Sequence, residues 1–572
     1  MDPFRVKRRS TAAATKIEHR CQQRVPDPAD AANSRRCMGK RPHMKFAKRA
    51  YNAVIQHRAW FAGLPLLSAV LLAPLFITDV PPVLDYPNHL ARFVLLAAPR
   101  DDPVLGPIFM PHWAIIPNLA ADVIVPPLLH LMPVHVAGRC LLGAVLLLNL
   151  AGVIALHGAL FRRISLWPLA SGIVAYNSTF LLGFLNWQIG SGLAMLCAAA
   201  WLTWREHRPV MTIMGASVAS VALFFCHLMG AVFFLLLIGS AELYAMWQSR
   251  RVFIRLASLL AVLAGPILLS LMAELSDGAS VTHWMNPHDK LIQTTSPFIN
   301  YLFPLDMATA LFVYSAIAIG ISVGWFKLAP RAAPAAVALA ILYVVLPFDL
   351  MDASFLDTRV AVMFGFLLFA VVDPVKMRRR PRQVLATSLA VLFALRMAVV
   401  AEVWMEHQRD LTQLRAVIAA VPPGALVYLT NVPQDEAPGY WDAGPRSRRL
   451  SNTLRTDYHL PALLLIEHGA YWPVLFANPG QQPIRLRPAY ARLARQAHDI
   501  PPHSILLTDQ DRVSARLRGF DFVLMLEAGA DPDLTGFIPR CLDLVSRADF
   551  AALFKVRRET CALVTDPGVV AR

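Results

Sequence analysis

Residues 138–160 read GRCLLGAVLLLNLAGVIALHGAL, a largely apolar run in which Arg139 is the one fully charged side chain. An α-helix of about 17 to 25 such residues crosses a lipid bilayer, so this run predicts a membrane span. Similar runs recur between residues 59 and 404. The chain of 572 residues is 56% hydrophobic and 16% charged, which is too apolar for a soluble protein of this length. The sequence therefore predicts a polytopic α-helical membrane bundle.

The apolar runs predict eleven spans. Their approximate limits are 60–78, 138–160, 167–184, 187–204, 210–226, 228–247, 256–273, 307–326, 334–349, 358–375 and 384–403. The loops on one side of this bundle are all basic and contain Arg162 and Arg163, Arg205 and Arg208, Arg250, Arg251 and Arg255, Lys327 and Arg331, and Lys376 to Arg382. Because cytoplasmic loops carry an excess of Lys and Arg, we expect a bacterial inner-membrane protein with a cytoplasmic N-terminus and an extracytoplasmic C-terminal segment.

Residues 1–58 carry fifteen Lys and Arg side chains against four acidic ones, so they contribute +11 to the net charge of +16. A basic segment ahead of a first span is typical of a topogenic cytoplasmic tail, which also meets anionic lipid. We therefore interpret residues 1–58 as a disordered cytoplasmic tail. The basic charge then indicates membrane topology, and we expect no nucleic-acid partner.

Two extracytoplasmic regions flank the bundle in this topology. The first loop, residues 79–137, is Pro-rich, and its segments Leu90–Ala98 and Leu119–Met132 predict interfacial helices because they are too short to span. Residues 405–572 predict a periplasmic α/β domain. We expect helices at Asp410–Ala420 and His459–Phe476. We expect strands at Leu426–Leu429, Ile505–Leu507, Phe520–Leu526, Ala551–Val556 and Ala562–Val564. If this domain is oxidised, we expect Cys541 and Cys561 to form a disulfide.

The first loop contains the motif Asp85-Tyr86-Pro87-Asn88-His89-Leu90-Ala91-Arg92. Pro87 predicts an extended lead-in and a helix that begins near Asn88, on which His89 and Arg92 share a face. One interpretation is a carboxylate that accepts a proton or holds a metal, beside cations that bind a phosphate. The alternative is a capped interfacial helix with a solvated Asp85 and an Arg92 that extends to the lipid headgroups.

Other polar residues fall on the same face in the predicted topology. They are Arg139 at the start of the second span, Asn186 between the third and fourth, His227 between the fifth and sixth, Lys290 after the seventh, and Asp357 with Arg359 at the start of the tenth. Charged groups near a bilayer usually face a cavity or a partner, because exposure to lipid is costly. Each residue also has a structural alternative: a capped turn, a hydrogen-bonded helix end, a local ion pair or a side chain that extends to the headgroups.

This layout resembles the GT-C superfamily of integral-membrane glycosyltransferases, in which an acidic motif follows the first span and a periplasmic α/β domain follows the last. The segments Asp85–Arg92, Ile116–Asp122, Gly183–Trp187 and Asp357–Arg359 are also similar to those of a group of bacterial multi-pass membrane proteins that share the layout. The resemblance covers most of the chain from about residue 60. It implies a GT-C-like fold.

The resemblance further implies that a sugar is transferred from a polyprenyl-phosphate donor to an envelope acceptor on the periplasmic face. By motif position, Asp85 is the general base or the acid that organises a metal, His89 accompanies it, and Asp122 is a second acidic position. The implied substrate-binding residues are Arg92, Arg139, Asn186, His227, Lys290, Asp357 and Arg359. A divalent metal is one implied cofactor, although Ala121-Asp122 lacks the paired acids that many members show.

Two other classes of protein fit the same composition. A lipid or solute transporter, or a flippase, is expected to show polar residues or broken helices at mid-span depth, often in matched halves. A non-catalytic scaffold would use its periplasmic domain to bind envelope glycan or protein. The predicted span interiors are apolar and their polar residues cluster at one end, which favours the glycosyltransferase.

Overall fold

Helices dominate the computed structural model, which describes residues 59–99, 101–249, 251–273, 282–350, 353–431, 446–452, 454–478, 480–498, 517–530 and 541–562. The helices in chain order are α1 (Ala59–Phe76), α2 (Tyr86–Ala97), α3 (Ala120–Leu128), α4 (Val134–Phe161), α5 (Ser178–Leu181), α6 (Leu185–Trp204), α7 (Pro209–Cys226), α8 (Leu228–Gln248), α9 (Val252–Met272), α10 (Pro287–Gln293), α11 (Phe303–Ser322), α12 (Ala333–Val345), α13 (Leu356–Val371), α14 (Arg379–Ile418), α15 (Leu463–His468) and α16 (Pro488–His498). The strands are β1 (Phe109–Pro111), β2 (Thr282–His283), β3 (Lys327–Leu328), β4 (Asp349–Leu350), β5 (Val372–Asp373), β6 (Val427–Asn431), β7 (Ile484–Leu486), β8 (Phe522–Leu526), β9 (Leu542–Arg547) and β10 (Ala551–Val556).

Seven of the described helices are long and apolar enough to cross a membrane, namely α1, α4, α7, α8, α9, α11 and α14. This finding is compatible with a membrane protein. Helix α6 has 20 residues and lower apolar content, whereas α12 and α13 have only 13 and 16 residues. The count of eleven spans stays a prediction. The predicted tail at 1–58 and Arg250 lie outside the described residues.

The predicted span 167–184 is wrong as a continuous helix. A 3-10 helix covers Trp167–Val174, and α5 begins only at Ser178. The side chain of Asn177 accepts a hydrogen bond from the backbone N–H of Phe180 at 3.0 Å and caps α5. Asparagine side chains compete with helical backbone bonds in this way, and apolar content alone does not reveal it. The break is enclosed by protein, since Asn177 is fully buried.

Small residues allow the central helices to approach closely. A Cβ atom added to Gly152 on α4 would lie 2.8 Å from the backbone oxygen of Gly192 on α6. A Cβ atom added to Gly230 on α8 would lie 2.9 Å from Cα of Gly190 on α6. Helix backbones approach this closely in membrane bundles where small residues face each other. Helix α6 is therefore fixed between α4 and α8.

The two predicted helices of the first loop are confirmed as helices, but α2 begins at Tyr86 rather than near Asn88, and the expected extended lead-in is wrong because Asp85 already has helical φ and ψ angles. Nine of the twelve residues of α2 are buried, including Asn88, His89 and Arg92. Helix α2 packs on α3 on one side and on the C-terminal α15 on the other. Strand β1 pairs antiparallel with β7 of the C-terminal region. The loop is thus enclosed by the rest of the protein.

Helix α14 runs without interruption for 40 residues from the last predicted span into the C-terminal region. The predicted separate helix at Asp410–Ala420 is therefore wrong, since these residues belong to the C-terminal part of α14 and the turn that ends it, and the predicted boundary at residue 405 lies within that helix. The physical reason is local, because residues 382–418 contain neither glycine nor proline to end a helix. Beyond it, the predicted helix at His459–Phe476 is shorter than expected. It comprises a 3-10 turn and α15, and it ends at Gly469 with a φ of 62°.

The C-terminal region contains a four-stranded sheet in the order β6-β8-β10-β9. The pair β6 and β8 is parallel, and the other two pairs are antiparallel. The predicted strands near Leu426, Phe520 and Ala551 are confirmed, whereas β9 was not predicted. The predicted strand Ile505–Leu507 lies outside the described residues. Of the predicted strand Ala562–Val564, Ala562 belongs to a 3-10 turn, and Leu563 and Val564 lie outside the described residues. The predicted disulfide between Cys541 and Cys561 is present, with Cα atoms 5.2 Å apart.

The basic loops meet at one end of the bundle. Arg163 forms an ion pair with Asp373 at 2.5 Å, and β3 pairs with β5. The opposite end carries the first loop, the β2–β4 pair and the C-terminal sheet, and the backbone of Ser451 there donates to the carbonyl of Asn300. One end of the bundle is therefore rich in Arg and Lys, and the other carries the first loop and the C-terminal sheet.

Candidate functional site

Asp85 lies where the first loop, the bundle and the C-terminal region meet. Its backbone N–H donates to the carbonyl of Leu182 at 3.1 Å, and its side chain is 15% exposed. Gly183 has a φ of 84°, and a Cβ atom there would come within 2.8 Å of the Asp85 backbone nitrogen. Glycine alone tolerates both this approach and this conformation easily. The turn at Gly183 therefore holds the backbone of Asp85 in place.

His459 of the C-terminal region faces Asp85, with its Nε2 atom 3.3 Å from Oδ1 of the carboxylate. The imidazole is buried, and the rings of Trp472 and Phe476 contact it edge to face with centroids 5.8 and 4.9 Å away. Its Nδ1 atom lies 3.3 Å from Nδ2 of Asn88 on α2. The first loop and the C-terminal region thus both contribute to one polar centre.

Arg359, on the first turn of α13, stacks on Phe184 with 4.6 Å between Cζ and the ring centroid. The residue is 8% exposed and its Nε is buried without a hydrogen-bond partner. No residue that the structure describes forms an ion pair with its guanidinium, although Asp85 interacts with it electrostatically at longer range. A buried cation is costly unless an anion compensates it. This geometry indicates a place for an anionic ligand.

The turn into α13 is strained. Phe355 has a φ of 61°, in the left-handed region that a bulky aromatic residue rarely adopts. Its ring packs against Phe184 and Phe348, with centroids 5.7 and 4.6 Å away. Strained backbone of this kind persists where surrounding packing enforces it, often at functional sites. Here it builds the aromatic wall on which Arg359 rests.

His227 lies between α7 and α8 and interacts electrostatically with Arg359. Its Nδ1 atom accepts a hydrogen bond from the backbone N–H of Met229 at 3.1 Å. The neutral imidazole therefore carries its proton on Nε2. His227 caps α8 and also presents a hydrogen-bond donor.

His89, Arg92 and Asp122 form a separate buried cluster. Nε of Arg92 lies 2.6 Å from Oδ1 of Asp122, and both side chains are completely buried. Arg92 also contacts Nδ1 of His89 at 2.8 Å, and Nε2 of His89 lies 3.0 Å from the carbonyl oxygen of Gly183. Burial, and after it the charge of Arg92, hold the pKa of His89 well below its ordinary value. The cluster supports the Gly183 turn beside Asp85.

The other predicted site residues have partners of their own. Asn186 accepts from the backbone N–H of Ala121 at 2.7 Å and donates to Asn118, so it joins α3 to α6. Lys290 lies 3.7 Å from the buried Asp357 and donates to the carbonyl of Leu346. Arg139 donates to the carbonyl of His135 within its own helix. Arg359 thus interacts electrostatically with both Asp85 and His227, whereas Asn186, Lys290 and Arg139 lie at other contacts.

The Asp85 centre offers few protein ligands for a divalent metal. Among the residues that the structure describes, no group of three or more His, Cys, Asp and Glu side chains is placed to hold a metal ion. Asp85 and His459 provide only two donors, and Asp122 is already neutralised by Arg92. Mg²⁺ is often held by one or two carboxylates together with water and substrate phosphates, so these few donors form no dedicated all-protein metal cage.

No protein-family model matches this chain, and no curated protein sequence matches it. The functional assignment therefore rests on the chemistry of the Asp85 centre.

Sequence reasoning did not find His459, Asn88 or Phe184 as site residues. His459 lies 374 positions after Asp85 in the sequence, in a segment without a recognisable motif. Asn88 was visible inside the first-loop motif, next to His89, and its proximity to a proposed acid was the available signal. Phe184 is an ordinary apolar residue until α13 places a guanidinium on its ring.

Proposed function

We propose that this protein is a membrane glycosyltransferase of the GT-C type, which transfers a sugar from a polyprenyl-phosphate donor to an acceptor in the bacterial cell envelope. The observation that supports it most is the nearly buried guanidinium of Arg359, which forms no hydrogen bond or ion pair with any described residue and interacts with the carboxylate of Asp85 at longer range. A lipid-linked donor combines an apolar tail with an anionic head. An apolar bundle suits the tail, and a cation that lacks an ion-pair partner among the described residues suits the head.

In the proposed reaction, Asp85 acts on the acceptor and Arg359 acts on the phosphate of the donor. Asp85 accepts the proton of the acceptor nucleophile as that atom forms a bond to the anomeric carbon of the sugar. The bond between the anomeric carbon and the phosphate oxygen breaks, and its electron pair stays on the departing polyprenyl phosphate. Arg359 stabilises that developing negative charge, and the Nε2–H of His227 adds a second donor.

We further propose that the basic end faces the cytoplasm and the Asp85 end faces the periplasm. The excess of Arg and Lys in the loops of the opposite end supports this orientation. Reporter fusions after residue 404 test it. A fusion that is active only as a cytoplasmic reporter would refute the orientation.

A transporter is the second candidate, because the structure has the broken segment at 167–184. Within it Asn177 lies in a buried polar group, where Gln188 donates to Asn177 and Thr179 at 3.0 Å and Asn149 donates to Gln188. Discontinuous helices with polar residues line the substrate sites of many transporters. These amides, however, are largely satisfied by one another, whereas Arg359 has no such partner.

The deciding experiment uses the full chain in detergent or lipid nanodiscs with a radiolabelled polyprenyl-phosphate sugar and envelope extract as acceptor. The substitution Asp85→Asn keeps the shape of the side chain and removes the base. We expect transfer to fall by about a hundredfold or more, the usual scale for loss of a general base. The matched control is Asp101→Asn, an exposed carboxylate of the same loop, which leaves transfer unchanged.

Insertion and melting temperature of each variant are measured in parallel, so that a folding defect is distinguished from lost chemistry. Full activity in a well-folded Asp85→Asn protein would remove Asp85 from the mechanism. If the wild type transfers no polyprenyl-linked sugar, the transporter or scaffold is favoured instead.

A further inference from the structure

His459 reaches Asp85 from a distant part of the chain, and its hydrogen-bond partners determine how it does so. The backbone N–H of Phe476 donates to Oδ1 of Asn88 at 2.9 Å, and Nδ2 of Asn88 donates to the carbonyl of Val474 at 3.1 Å. These two contacts fix which end of the Asn88 amide is oxygen and which is nitrogen. The nitrogen therefore faces His459.

The orientation of Asn88 sets the tautomer of His459. Because Nδ2 of Asn88 is a donor, Nδ1 of the imidazole at 3.3 Å is the acceptor. The neutral ring then carries its proton on Nε2, and that atom lies 3.3 Å from Oδ1 of Asp85. Asn88 thus donates a hydrogen bond to His459, and His459 presents its own N–H to the carboxylate of Asp85.

The surroundings of His459 hold the ring in place rather than leaving it free to rotate. It is 5% exposed, and Trp472 and Phe476 pack edge to face on it. The distance of 3.3 Å to Asp85 is longer than an optimal hydrogen bond to a carboxylate. Contacts of catalytic carboxylates are often long without substrate and shorten in the reactive complex.

We propose that His459 is a positioning residue for Asp85, so that the C-terminal region completes the reaction centre of the membrane bundle. This inference rests on the proposed function of Asp85. His459 presents Nε2–H to Oδ1, which fixes the rotation of the carboxylate and leaves Oδ2 to accept the proton of the acceptor nucleophile. His459 itself gains and loses no proton in the step. A bundle without the C-terminal region would retain the base but not its orientation.

Two substitutions separate positioning from packing. His459→Gln removes the ring and keeps an amide donor near the position of Nε2, whereas His459→Phe keeps an aromatic ring and removes the donor. We expect His459→Phe to lower kcat for sugar transfer by about ten- to a hundredfold, the effect of losing one hydrogen bond to a charged group. KM for the lipid donor should change little, because His459 does not contact it.

His459→Gln should retain activity within about threefold of the wild type, because the donor to the carboxylate persists. The reverse order, with Phe active and Gln inactive, would mean that His459 serves packing and would overturn the proposal. If His459→Phe does not fold, His459→Asn replaces it, since its shorter amide does not reach the position of Nε2. Equal activity of the Gln and Asn variants then also overturns the proposal.

A readout that needs no activity separates this inference from the proposed function. The full-length protein is prepared with ¹⁵N-labelled histidine in nanodiscs, and the His459 signals are assigned by their absence in His459→Gln. We expect the Nε2–H tautomer. The Nδ1–H tautomer would turn a lone pair towards Asp85 and refute the contact, even if the wild type transfers sugar. A wild type that shows the Nε2–H tautomer but transfers no sugar would refute the function and not the contact.

Discussion

Arg92 and Asp122 form an ion pair in which both side chains are completely buried, with 2.6 Å between Nε and Oδ1. The pair joins α2 to α3 across the first loop. It also leaves NH1 of Arg92 without a hydrogen-bond partner among the described residues. Two residues that the motif predicts at the catalytic centre are thereby assigned to the support of the loop.

Asp122→Asn should lower the free energy of unfolding by roughly 3 to 5 kcal/mol, because it leaves the buried Arg92 without a counter-charge. Denaturation of the purified protein in detergent measures this loss, with Asp101→Asn as the control. The double substitution Arg92→Met with Asp122→Leu should recover much of the stability, since both charges are then gone. A stable Asp122→Asn protein that transfers no sugar would restore Asp122 to the chemistry.

Arg359→Met should weaken the binding of polyprenyl phosphate by about ten- to a hundredfold, because a hydrogen bond to a charged group contributes about 1.5 to 3 kcal/mol. Its melting temperature should be close to that of the wild type or higher, since the guanidinium forms no hydrogen bond or ion pair with a described residue and its stacking on Phe184 is exchanged for apolar contact. Arg492→Met, at an exposed position on α16, is the matched control. A large drop in melting temperature with unchanged binding would contradict the anion site.

Replacement of Cys541 and Cys561 by serine should lower the stability of the C-terminal region by roughly 3 kcal/mol, the chain-entropy value for a loop of this length. Denaturant titration measures the change. In cells that express a variant whose other five cysteines are replaced, these two should react with a maleimide only after reduction. Labelling without reductant would instead indicate a reducing compartment and a cytoplasmic C-terminal region.

Glu467 should make the attachment of the C-terminal region sensitive to acid. Its partial burial raises the pKa, but hydrogen bonds from His135 and Arg415 outweigh burial and hold the pKa of Glu467 at about 2. Because the folded pKa is depressed, the stabilisation is complete above the ordinary pKa of about 4.3 and is lost as the pH falls from there towards 2.

The measurement compares the melting temperatures of the wild type and Glu467→Gln. The wild type should be more stable at about pH 6, and the difference should shrink as the pH falls below about 4. Glu559→Gln, an exposed residue of the same region, is the control and should behave like the wild type throughout. A difference that is constant with pH would exclude the ionised Glu467 as its source.

Local sequence patterns predicted most of the helices because span-length apolar runs leave few other solutions for a backbone in lipid. They failed where one polar side chain redirects the backbone, as Asn177 does inside the predicted span 167–184. They also failed at α14, where the end of an apolar run was taken as the end of a helix although no residue there stops one. Apolar content describes the surroundings of a helix rather than its length.

The sequence by itself predicted membrane-length apolar helices, one basic set of loops, an acidic motif after the first helix and, for an oxidised domain, a disulfide between Cys541 and Cys561. Each of these predictions follows from composition or from residues that lie close together in the sequence. Only the tertiary structure decided that Asp122 neutralises Arg92, that Arg359 forms no ion pair with a described residue, and that His459 reaches Asp85. Such assignments depend on which side chains meet across separations of 30 to 374 residues, and the role of a charged residue follows from the partner it meets.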